Sequence, residues 1–130
     1  MFLFWRVWAV RRAAPLTCEL LRRRGRLTAE VAYVMATGVA ATEQIAARLL
    51  QRMQWDRDPV VASLAASEAT LIRVARGDEG EYEIEWSTNP EVVLRELRNR
   101  RSRVFAFRPT APYRFRISKH CQGSYRATQS

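Results

Sequence analysis

The chain has 130 residues, of which 48% are hydrophobic and 27% charged, so it can form one folded domain and is not a disordered polypeptide. Its 22 basic residues outnumber 13 acidic ones, and all but Lys119 are arginines. A GC-rich coding sequence would replace lysine with arginine, but it would not create the net charge of +9. This excess predicts a large, negatively charged partner, because guanidinium groups match phosphate geometry.

The charge is segregated along the chain. Residues 1–55 carry +6, residues 56–91 carry −6, and residues 92–130 carry +9. We therefore expect two basic ends that flank an acidic middle, and a patchy positive field.

Catalytic and metal-binding patterns are not evident. Cys18 and Cys121 form neither a disulfide framework nor a CxxC pair, and His120 has no further ligands at metal spacing. We expect a non-enzymatic protein of a reducing intracellular compartment, with no cofactor, no metal and no small-molecule substrate. No apolar run approaches the roughly 20 residues of a membrane-spanning helix.

Residues 1–14 form an aromatic, basic and acid-free segment. It resembles a mitochondrial transit peptide, which implies a mitochondrial location, and we expect it to be retained. The alternative is an ordinary N-terminal helix or arm, with Trp5 and Trp8 exposed and anchored on a partner.

Residues 15–68 predict three short helices. Thr17, Thr28 and Thr42 are candidate N-caps, and Gly25 and Gly38 end the first two helices. Residues 60–68 are compatible with a short helix or a loop. The end of the first helix carries the basic cluster Arg22, Arg23, Arg24 and Arg26.

The motif RGRLTAE, followed by GVAAT and by a helix with Arg48 and Arg52, resembles a winged helix-turn-helix. That resemblance implies a DNA-binding regulator in which Arg48 and Arg52 enter the major groove. The wing would be the hairpin at residues 71–86.

LIRVAR, GDEG and EYEIEW predict that β-hairpin, with Gly80 at positive φ in its loop. Glu81, Glu83 and Glu85 alternate with apolar residues and indicate a solvated strand face rather than a metal or general-acid site. The expected cross-strand neighbours are Val74 with Ile84, Ile72 with Trp86, and Arg73 with Glu85.

Asn89-Pro90-Glu91 predicts a helix start, and the helix should extend to about Arg101. Its end carries more positive charge than the helix dipole needs, which favours a phosphate-facing patch. The patch consists of Arg98, Arg100, Arg101 and Arg103.

RVFAFR and YRFRIS predict two further strands. The second alternates apolar residues with Arg114 and Arg116, which indicates a basic outer face. Phe105 and Phe107 are expected in the core rather than as platforms for bases.

The predicted fold is α+β, with N-terminal helices followed by a β-β-α-β-β unit that forms a small, mostly antiparallel sheet. The predicted boundaries are an arm at 1–14, one domain at 15–119 and a flexible tail at 120–130.

We expect the first of the following three functions, because the strongest basic patch lies at residues 98–103 and on the last predicted strand; the other two are alternatives. The first is a structural subunit of a large ribonucleoprotein, resembling small mitochondrial ribosomal proteins, in which the arginine clusters contact rRNA and other surfaces contact neighbouring proteins. The second is the winged-helix regulator. The third is an accessory subunit of a mitochondrial membrane complex, in which the aromatic N-terminus lies on lipid or a partner helix.

Overall fold

A computed structural model describes residues 2–38, 41–121 and 125–129. Within these ranges, five helices precede a small antiparallel sheet, and a sixth helix lies between its first two strands, which confirms the α+β class with N-terminal helices. The elements are α1 (Phe2–Ala13), α2 (Pro15–Arg23), α3 (Leu27–Ala36), α4 (Thr42–Met53), α5 (Pro59–Ala75), β1 (Tyr82–Trp86), α6 (Pro90–Arg98), β2 (Tyr113–Ile117), a 3-10 turn (Lys119–Cys121) and β3 (Tyr125–Gln129).

Helix α5 is the centre of the fold. It packs against α2 and α4 on one side and against β1 and β2 on the other, with Val61, Leu64 and Ala65 fully buried. The sheet contributes Trp86 and Phe115, whose rings meet edge to face with centroids 5.7 Å apart. One continuous core therefore joins the helical and sheet halves.

Helix α1 contributes Val10 to that same core, and Val10 and Ala14 have no exposed surface. The helix contacts α2, α3 and α4. Residues 2–13 are thus packed on the folded unit.

The predicted first strand is wrong, because residues 71–75 belong to α5. Asp58 caps this helix by accepting from the backbone N–H groups of Val60 and Val61, and Pro59 provides its first residue. The segment LIRVA fits both the alternation of a strand and the 3.6-residue period of a helix. The helix that Asp58 caps continues through it. Gly77, at φ 108°, follows the helix end, so the positive φ expected at Gly80 occurs there instead.

The cross-strand pairs expected between residues 72–74 and 84–86 consequently do not form. Strand β1 pairs instead with β2, and the register sets Glu83 opposite Arg116 and Glu85 opposite Arg114. Tyr125–Gln129 pairs with the other edge of β2 in place of the predicted flexible tail. A segment paired there gains backbone hydrogen bonds that a tail would leave to water.

The predicted caps have mixed outcomes. Asn89 caps α6 as expected, since its side chain accepts from the Glu91 N–H at 3.0 Å. Thr17, Thr28 and Thr42 are not caps, because α2, α3 and α4 start after Ala14, Arg26 and Ala41, none of which makes a side-chain cap bond.

A buried carboxylate performs the capping at the start of α2. Glu68, on α5, accepts from the backbone N–H groups of Leu16 and Thr17, each at 2.8 Å. Burial raises the pKa of Glu68, while the two backbone donors act in the opposite direction. The contact ties α2 to α5 at the middle of the core.

Candidate nucleic-acid interface

The structure brings two of the predicted basic clusters into contact. Arg23, at the end of α2, is 4% exposed and donates to the carbonyl oxygens of Leu97 at 3.4 Å, Asn99 at 3.1 Å and Val104 at 3.0 Å. Arg24 donates from Nε to the carbonyl oxygen of Phe105 at 2.9 Å. Arg23 and Arg24 therefore fix the backbone of the segment that carries the second predicted cluster. That cluster consists of Arg98, Arg100, Arg101 and Arg103.

We call residues 98–108 the arginine loop. The segment contains no acidic residue, and all five of its arginines are exposed. Its far end is fixed as well, since Thr88 donates to the Arg108 carbonyl oxygen at 3.1 Å. The exposed arginines are Arg98, Arg100, Arg101, Arg103 and Arg108.

The predicted strand RVFAFR is wrong, because residues 103–108 have no strand partner. The carbonyl oxygens of Val104 and Phe105 accept hydrogen bonds from Arg23 and Arg24 rather than from a neighbouring strand. Phe105 is 54% exposed instead of buried, and Phe107 is half-buried against the core. The loop thus displays an aromatic ring among its arginines.

The other two arginines of the first cluster form ion pairs. Arg22 pairs with Glu19 on the same helix, at 2.5 Å. Arg26 pairs with Asp56 at 2.7 Å and lies 3.7 Å from Glu30. The Arg26 guanidinium lowers the pKa of Asp56 by hydrogen bonding. Both guanidinium groups are already paired within the protein, so they offer a partner less than their number suggests.

Arg114 and Arg116 lie on the exposed face of β2, as predicted, but both face an acidic strand. Arg116 donates to Glu83 at 2.8 Å, and Arg114 lies 3.9 Å from the same carboxylate. Glu83 therefore offsets part of their charge, and this face is less positive than the sequence of β2 suggests.

Trp5 and Trp8 are exposed on α1, as the alternative interpretation of this segment expected. Each indole has a guanidinium over it: Arg6 lies 5.4 Å from the Trp5 ring centroid and Arg12 lies 5.1 Å from that of Trp8. This geometry allows cation–π attraction at the surface. The pair forms an aromatic and basic ridge separate in sequence from the arginine loop.

A second aromatic surface was not predicted from the sequence. Trp55 follows α4 and is 86% exposed, and Tyr33 on α3 is also exposed. Arg52 lies 3.8 Å from the Tyr33 ring centroid. A tryptophan outside every apolar stripe of the predicted helices was the signal that could have revealed this surface.

The hairpin that would serve as the wing of a winged helix is absent among the described residues, since residues 71–75 are helical. Arg52 also lies 3.5 Å from Glu30. The structural features on which the winged-helix resemblance depended are therefore incomplete.

Cys18 is buried in the core, and burial raises the pKa of its thiol to about 12. It is consequently a protonated, inert side chain at neutral pH. Among the described residues, no three His, Cys, Asp or Glu side chains gather to hold a metal ion. No helix in the described ranges has the length and apolarity needed to cross a membrane.

Comparisons with known proteins give no family. The chain matches no protein-family model, no curated protein and no solved structure.

Proposed function

We propose that this chain is a non-enzymatic structural subunit of a large ribonucleoprotein, of the kind that small mitochondrial ribosomal proteins represent, and that it contacts rRNA through the arginine loop. The proposal rests mainly on one observation. A segment with five exposed arginines and no acid is held in place by two further arginines from α2.

The anchoring explains why this loop suits phosphate better than a flexible tail of equal charge. Arg23 and Arg24 fix the backbone before any partner arrives, so less conformational entropy is lost on binding. The exposed guanidinium groups of the loop can then meet successive phosphates as bidentate donors. Contacts of this type read charge and shape rather than base sequence.

The remaining surfaces fit a piece packed among neighbours. On the sheet, Glu83 pairs with Arg114 and Arg116, which leaves a face of mixed charge suited to protein or solvent. On α1, exposed Trp5 and Trp8 provide apolar area for a protein partner. The transit-like composition of the same helix supports a mitochondrial location for the assembly.

Sedimentation of the tagged chain in a cell extract, with and without RNase, tests the proposal. We expect co-migration with a large particle that is lost after RNase treatment. In parallel, Arg100→Gln with Arg101→Gln should lower recovery in the particle, whereas the control pair Arg73→Gln with Arg76→Gln at the end of α5 should not.

Two results would contradict the proposal. Migration as a small dimer that binds duplex DNA would favour a regulator. Migration with a detergent-solubilised membrane complex that ignores RNase would favour the accessory subunit.

A further inference from the structure

Two shallow depressions meet at the end of α4 and share Arg52 and Trp55 as their common ridge. One, of about 280 Å³, is lined by Tyr33 and Val34 together with polar and charged side chains, among them Arg48. The other, of about 710 Å³, is lined by charged side chains, including Arg24 and Arg57. We call the two depressions and their ridge the Trp55 surface.

The Trp55 surface has a net positive charge even though several of its side chains form ion pairs with one another. Its acids are each in contact with an arginine: Glu30 with Arg26 and Arg52, Asp56 with Arg26, and Asp58 with Arg24. Arg48 and Arg57 also line it and are exposed. Five arginines thus face three acids, and the excess lies on either side of the indole.

The surface is continuous with the arginine loop through Arg24. This side chain donates to the Phe105 carbonyl oxygen at 2.9 Å, forms an ion pair with Asp58, and lines the charged depression beside Trp55. Arg24 therefore links the arginine loop to the charged depression beside Trp55.

We infer that the Trp55 surface is a stacking site for an unpaired base of single-stranded RNA. The Trp55 indole, 86% exposed, provides the platform, and the Arg52 guanidinium held over Tyr33 provides a charged plane beside it. Arg57, two residues after Trp55 and exposed at the charged depression, binds the adjoining phosphate. Exposed aromatic rings in positive grooves bind single strands in this way, because every base has a π-face.

Duplex RNA does not fit the same geometry. Its bases are stacked within the helix and its deep groove excludes side chains, so the indole would meet no free base. The inference rests on the proposed function, since it assumes that the arginine loop carries RNA, and it adds the single-stranded class of RNA and the position of the unpaired base.

Fluorescence anisotropy of a labelled 12-nucleotide oligouridylate with the full chain tests the inference. Trp55→Ala should weaken binding by roughly fivefold or more, whereas Trp55→Phe should retain most of the affinity because it keeps a ring. Gln54→Ala, at the exposed neighbouring position, is the matched control and should bind as the original chain does. Circular dichroism should confirm that all three variants fold.

A duplex of equal length provides the second arm, and Trp55→Ala should leave its affinity unchanged. Equal losses for both RNAs, or unchanged oligouridylate binding in Trp55→Ala, would overturn the inference. If Trp55→Ala instead lowers recovery in the particle without affecting oligouridylate, the surface binds a protein. The inference then fails while an RNase-sensitive particle still supports the proposed function, so the two failures are distinguishable.

Discussion

Replacing Arg23 with methionine tests whether the arginine loop is held by the fold. The change keeps an unbranched apolar stem but removes hydrogen bonds to the carbonyl oxygens of Leu97, Asn99 and Val104. A hydrogen bond of this type contributes about 1 kcal/mol, and water can replace those at the exposed carbonyls. We therefore expect Arg23→Met to lower the free energy of unfolding by about 2 kcal/mol.

Arg22→Met is the matched control. Arg22 is half exposed and pairs only with Glu19 in the contacts described, so its loss should cost about 0–1 kcal/mol, as is usual for surface pairs. Urea denaturation followed by circular dichroism measures both variants.

Limited trypsin digestion supplies a second readout that is specific to the loop. Trypsin cleaves after arginine, so release of the anchored backbone should speed cleavage at Arg100, Arg101 and Arg103 under native conditions in Arg23→Met but not in Arg22→Met. Equal stability losses in the two variants, together with an unchanged cleavage rate, would refute the idea that Arg23 holds the loop.

Three further predictions concern the core and its turns. Because the folded-state pKa of Glu68 is raised, the folded state binds the proton more tightly, and stability should increase as the pH falls through that pKa toward the ordinary value of a free glutamate. Denaturation midpoints measured across this range should shift less in Glu68→Gln, and an equal shift would exclude Glu68 as the source. Trp86→Phe should cost about 2–3 kcal/mol, since it removes the indole bond to Ser67 at 3.0 Å and leaves a buried hydroxyl unpaired; adding Ser67→Ala should recover part of this loss in urea denaturation. Gly25→Ala should lower stability by about 1–2 kcal/mol, because Gly25 has φ 68° and alanine is strained there even though the space around it is open; a thermal midpoint equal to that of the original chain would contradict this.

An element could be predicted from the sequence where its local sequence pattern fits only one conformation. Asn89 and Pro90 located the start of α6, Gly25 and Gly38 located helix ends, and the alternation in YRFRI located β2. Each of these features depends on contacts within a few residues, which a single sequence contains.

Structural features that depend on residues far away in the sequence could not be predicted from it. LIRVA satisfied both periods, and packing against β1 and the rest of the core determined the helix. Arg23 and Arg24 had the composition of a phosphate site, but their carbonyl partners lie 74 to 81 residues away. Likewise, nothing near Glu68 in the sequence indicates that it caps α2.

Ultraviolet crosslinking of the protein within its native particle, followed by mass spectrometry of the crosslinked peptides, identifies the residues that contact RNA. We expect nucleotide adducts on the arginine loop, including the exposed ring of Phe105. A particle that contains the chain but yields adducts only outside residues 98–108, or none at all, would contradict the assignment of the arginine loop as the RNA contact.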